Sequence, residues 1–146
     1  MERGLEGALE KQSKNKDLDP EIRERAATHL EETRGHAEQV RSMLQSLGSD
    51  TSVLKTSAGT LAQSAKGIMS TFARDERIKD LLDSYSMEHF EIACYTTLAA
   101  AAETAALPEV VQMCQRILAD EQRMAEALIQ SLPDEVTDYL IQTEDA

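Results

Sequence analysis

An all-α bundle of four long helices, with a further helical stretch crossing between the second and the third, is the fold class this sequence predicts. Three observations point to it. Apolar residues recur at three- and four-residue spacing along most of the chain. Aromatic residues are few and Trp is absent, whereas Ala, Leu, Glu and Gln abound. The three prolines and six glycines sit mostly where helices could begin or end. With 146 residues the chain reads as one domain, residues 1–146, large enough to bury a single core in which roughly two thirds of the unfolded surface leaves water.

On the first helix Glu2, Leu5, Leu9 and Gln12 share a stripe, and the polar stretch SKNKDLDP then breaks it. Asp19 is placed to cap the second helix and Pro20 to open it. Its seam runs Ile22, Ala26, His29, Thr33, His36 or Ala37, Val40, Leu44 and Leu47, with Gly48 at the C-terminal stop. Residues Thr51–Ala73 carry a weaker stripe of Leu54, Ala58, Leu61, Ala65, Ile68 and Phe72, diluted by Ser, Thr and Gly, and read as the helical crossover.

The third helix is expected from about Asp75 to Thr104, its seam formed by Ile78, Leu81, Tyr85, Glu88, Ile92, Tyr95 and Ala99. Pro108 opens the fourth, along Val110, Cys114, Ile117, Glu121, Met124 or Ala125, Leu128 and Leu132. After Pro133 a separate acidic tail helix, about residues 134–142, is expected to pack outside. Two hairpins joined by a long middle segment make a four-helix bundle with one crossover between the second and third helices.

A formal net charge of −12 repels nucleic acid and anionic membrane surfaces, whose binding rests on Lys and Arg. No apolar run approaches a membrane span and the start MERGLEGALEKQ lacks a signal core, so a cytoplasmic location is expected. Cys94 and Cys114 have neither zinc-ligand spacing nor a disulfide framework and read as small core residues, as Met43, Met69, Met87, Met113 and Met124 read as core filler.

Each long helix also carries a carboxylate on or beside its apolar stripe: Glu2, Glu32, Glu88 with Glu91, and Glu121. Counting from the turns at roughly 1.5 Å per residue sets Glu2 level with Glu32, and Glu91 level with Glu121. Buried carboxylates cost several kcal/mol each unless neutralised, and no Lys or Arg lies in these seams. Two divalent cations would neutralise them, with His29 or His36 as a nitrogen ligand. Taken singly, each Glu is better explained as a solvated helix edge and His29 as a hydrogen-bonded core residue. It is the recurrence in all four helices that favours a site. His89 flanks the seam, and Tyr85 or Tyr95 could hydrogen-bond near it.

At these residues, MERGLEGALEKQ, HLEETRGHAEQV, YSMEHFEIACYTTL and ILADEQRMAEAL, the chain resembles the YciE/YciF-type ferritin-like family of bacterial proteins, related in fold to rubrerythrins. The likeness covers nearly the whole chain. It implies a ferritin-like bundle with a di-iron or di-manganese site, a homodimer and a loose association with stress responses. The Glu-x-x-His spacing of ferritins and rubrerythrins is absent: the second helix has His29-x-x-Glu32 with His36, the third Glu88-x-x-Glu91. The family also has another turn of first helix before the position of Met1, so either the native start lies upstream or the site is loose at Glu2.

The expected ligands are therefore Glu2, His29, Glu32, Glu88, Glu91 and Glu121, with His36 as alternate, holding two iron or manganese ions that act on oxygen or peroxide. The competing expectation is a non-enzymatic helical stress scaffold with a vestigial site.

Overall fold

A computed structural model describes residues 2–16, 18–48 and 76–144. Four helices fill them: α1 (Glu2–Lys14), α2 (Pro20–Ser46), α3 (Glu76–Thr104) and α4 (Pro108–Glu144). The expected crossover at Thr51–Ala73 lies outside the described residues.

Local chemistry sets both turns. The Asp19 side chain accepts from Glu21 N at 2.7 Å, and Pro20 opens α2 without wasting an amide donor. At the other turn Ala106 takes φ +55°, Leu107 N donates to Ala102 O at 2.9 Å and Ala106 N donates to Glu103 O at 3.1 Å. That bond pair is a Schellman termination, built here on alanine where glycine is usual.

The short turns pair α1 with α2 and α3 with α4. Gln12, near the end of α1, donates to Ser84 Oγ at 2.6 Å and Asp80 O at 3.0 Å near the start of α3, so these helices run antiparallel. Arg25 reaches Ala127 O while His36 meets Asp120, so α2 and α4 are antiparallel as well. It follows that α2 and α3 point the same way. The order is up-down-down-up.

Burial follows the expected seams on α1, the first half of α2 and α4: Leu5, Leu9, Gln12, Ile22, Ala26, His29, Thr33, His36, Val110, Cys114, Ile117, Glu121, Met124, Ala125 and Leu128 all lie inside. Beyond His36 the α2 seam surfaces, leaving Leu47 45 % exposed, because the 13-residue α1 spans only half of the 27-residue α2. On α3 the buried face is Leu81, Ser84, Glu88, Glu91, Tyr95 and Ala102, so Glu91 points inward while Ile92 lies at the flank.

The tail expectation is corrected. Helix α4 passes through Pro133 without a break, and residues 134–142 are its last turns rather than a separate element. Proline denies the Ile129 carbonyl its helical donor. Ile129 is 42 % exposed, so water can take that role, and Leu128, Leu132 and Glu135 continue one inward face across the proline.

Two apolar blocks result. Leu5, Leu9, Leu18, Ile22, Ala26, Leu30, Leu81, Met124 and Leu128 form one, drawn from all four helices and the α1–α2 turn. Tyr95, Ala102, Val110, Met113, Cys114 and Ile117 form the other, between α3 and α4. His29, His36, Glu88, Glu91 and Glu121 occupy the buried level between them. Among the described residues no helix is long and apolar enough to cross a membrane.

Candidate metal centre

Helix α2 brings two imidazoles to the interior because His29 and His36 stand two turns apart on one stripe. Helix α3 supplies Glu88 and α4 supplies Glu121 from the same kind of seam position, and both carboxylates are fully buried. His29 Nε2 lies 3.2 Å from Glu88 Oε2 and 3.4 Å from Glu121 Oε2. Glu121 Oε1 lies 2.9 Å from His36 Nδ1. One carboxylate thus stands between two imidazoles.

The far nitrogens are also engaged. His29 Nδ1 meets Glu32 Oε2 at 3.1 Å, and His36 Nε2 meets Asp120 Oδ2 at 3.1 Å. Arg123 joins these outer carboxylates, its Nη2 lying 2.7 Å from Glu32 Oε1 and 2.9 Å from Asp120 Oδ1.

The electrostatics follow from that packing. Burial works against charge on His29, but hydrogen bonds to Glu121, Glu88 and Glu32 outweigh it and hold the imidazolium up to about 11. Burial pushes the Glu88 carboxyl up to about 7, against the pull of His29 and with help from its hydrogen bond to Glu121. Burial acts upward on Glu121 too, but His29, His36 and Glu88 overcome it and hold Glu121 down to about 2. Near neutral pH the cation-free cluster is therefore a His29 imidazolium between an ionised Glu121 and a Glu88 that is part-protonated and becomes mostly so in mild acid. The two acids thus part: burial raises Glu88, whereas the histidines neutralise Glu121 and lower it.

His29, Glu88 and Glu121 each direct one donor atom into a common space within 4.8 Å, and this buried group could hold a metal ion. A shell with bonds of about 2.1 Å has edges of about 3.0–3.4 Å, which the donor separations of 3.2 and 3.4 Å match. A neutral His29 that keeps its Nδ1 proton on Glu32 turns the Nε2 lone pair toward the two carboxylates.

The remaining expected ligands are placed as follows. Glu91 is fully buried one turn along α3 from Glu88. Glu32 is half-buried and stands behind His29. Glu2 opens α1, but its side chain lies outside those described. His36, the alternate nitrogen, touches Glu121 directly. His89 is exposed, its ring edge on Tyr85 at 4.5 Å between centroids. Both cysteines are free thiols.

Asp120 and Arg123 escape the sequence reading. Their signal is faint: an acid adjoining Glu121 and a cation one turn further on, both just off the apolar stripe. An open groove of about 610 Å³ between α2 and α4, lined by Gly35, Met43, Met113 and Arg116 among others, contains none of the cluster residues.

Fold and site together define an all-α bundle of up-down-down-up order with a buried His/Glu group able to hold a metal ion. The chain belongs to the family described as Domain of unknown function (DUF892), whose profile matches residues 1–141. It is similar to a protein of known crystal structure from Xanthomonas campestris pv. campestris, with 28 % identity, a TM-score of 0.79, and coverage of 98 % of this chain and 89 % of that one.

Proposed function

We propose that this protein is a ferritin-like metal-binding bundle whose centre takes two divalent ions, iron or manganese, and serves redox chemistry on oxygen or peroxide under stress. The observation that carries this reading is Glu121, one oxygen facing His29 Nε2 and the other facing His36 Nδ1. A carboxylate set between two imidazoles is what a pair of cations sharing a bridging ligand requires. Glu88 would complete the His29 side, Glu91 is the further buried acid within one helical turn, and Glu2 is proposed from the first helix. Bound iron or manganese would supply the electron transfer, while the protein contributes the ligands and the exclusion of water. His29 and Glu88 would yield their protons as ions enter, because only the deprotonated forms can ligate.

A second reading has its own support. Because the His29 imidazolium and ionised Glu121 neutralise each other, the layer has no absolute need of a cation and could persist in a scaffold protein as a structural remnant. Elemental analysis of protein purified without chelating resin separates the two. About two equivalents of iron or manganese per chain, lost in Glu121→Ala, support the metal reading. Trace metal that is indifferent to Glu121 leaves the scaffold.

A further inference from the structure

We propose that Arg123 is the positioning residue of this centre, a single clamp that orients both histidines by holding their two outer carboxylates. This rests on the metal reading and adds a residue that touches no expected ligand other than Glu32.

Each outer carboxylate is used on both sides. Glu32 places Oε2 on His29 Nδ1 and Oε1 on Arg123. Asp120 places Oδ2 on His36 Nε2 and Oδ1 on the same Arg123 nitrogen. A carboxylate behind a ligating imidazole fixes its tautomer and ring angle and raises its basicity. Glu32 and Asp120 are half-buried, at 30 % and 31 % side-chain exposure, and belong to different helices. Without a common cation they would be neighbouring like charges, free to turn toward water and release the rings. Arg123 joins α4 to α2 at that point.

The clamp is also separable from the fold. Arg123 is 59 % exposed and lies off the buried stripe of α4, where Glu121, Met124 and Ala125 face inward. Its replacement therefore leaves both apolar blocks intact.

Coulomb's law alone predicts that removing a cation beside a metal site tightens metal binding. Positioning predicts the reverse, so the sign decides. Manganese(II) is titrated into the full chain and into Arg123→Gln, Arg123→Lys and Arg41→Gln. Arg123→Gln should bind roughly 10- to 100-fold more weakly. Arg123→Lys should recover most of the affinity, since one nitrogen makes both contacts. Arg41→Gln, a distant charge control, should bind at least as tightly as the parent. Unchanged or tighter binding by Arg123→Gln overturns the proposal.

A second arm needs no metal. Ring-nitrogen NMR signals of both His29 and His36 should move in metal-free Arg123→Gln, whereas Glu32→Gln should move chiefly His29 and Asp120→Asn chiefly His36. If Arg123→Gln moves one ring only, or neither, the clamp is refuted. A parent that takes up no manganese while both rings respond overturns the metal reading and retains the clamp.

Discussion

The block around Leu9, Leu81 and Leu128 and the layer around His29, Glu88 and Glu121 are built at the same kind of seam position, yet they are held together by different physics. The block is dry and without charge, and stabilises by removing apolar surface from water. The layer is equally buried, with Glu88 and Glu121 at 0 % exposure, but its groups gain only through mutual pairing. Periodicity decides which residues go inside. Pairing decides whether a polar interior residue is tolerable, and that makes the layer sensitive to protons and cations where the block is not.

The largest expected effect contrasts the two directly. Leu81→Ala should lower stability by about 2–5 kcal/mol in denaturant unfolding, by nearly the same amount at pH 5 and pH 8, and leave metal uptake in place. Glu121→Ala should cost about 3 kcal/mol in the metal-free protein, because it leaves His29 and His36 without their shared counter-charge, and should abolish metal uptake. If Glu121→Ala were as stable as the parent, the pairing account of the layer would be wrong.

The next effect is a pH trend. Glu88 is raised, so its contribution is fully present below the unfolded value near 4.5 and is lost as pH rises through about 7. His29 is raised as well: its contribution is complete below about 6.5 and fades toward about 11. Glu121 is lowered, and its contribution disappears only as pH falls toward about 2. From pH 5 to 8 the metal-free protein should therefore melt at progressively lower temperature. Glu88→Gln, which cannot lose a proton, should flatten much of that slope. A parent slope that is flat or rising would contradict the assignment of protons to Glu88 and His29.

The smallest effect lies far from the layer. Ala106→Gly removes a side chain from a left-handed backbone position and should stabilise by about 0.5–1 kcal/mol, independent of pH and metal. Thermal melting would show it as a rise of a few degrees at most.

How much of this could be read from the sequence depended on whether a residue stands on its helix's apolar stripe. His29, His36 and Glu121 were legible because α2 and α4 have one apolar stripe each, and the polar residues interrupt it in phase. Helix α3 was harder. Its apolar residues and alanines occur on several faces, so a 3.6-residue stripe through Ile92 fits as well as the true one through Glu91. Asp120 and Arg123 lie off any stripe and acquire meaning only when α2 packs against α4. Pro133 ordinarily signals an end, but packing of Leu132 and Glu135 carries α4 through it. The left-handed turn at Ala106 has no glycine to announce it.

The central claim is that the imidazole–carboxylate layer exchanges protons for divalent cations. The most direct test is to titrate manganese(II) into the metal-free protein in weak buffer at pH 6 while recording both bound metal and released protons. At that pH His29 and most of Glu88 are protonated, and both must deprotonate to ligate. The account predicts saturable uptake of about two ions with release of about two protons per chain, and neither signal in Glu121→Ala. Saturation without proton release would mean that the cations bind elsewhere, and no saturable uptake at all would contradict the claim outright.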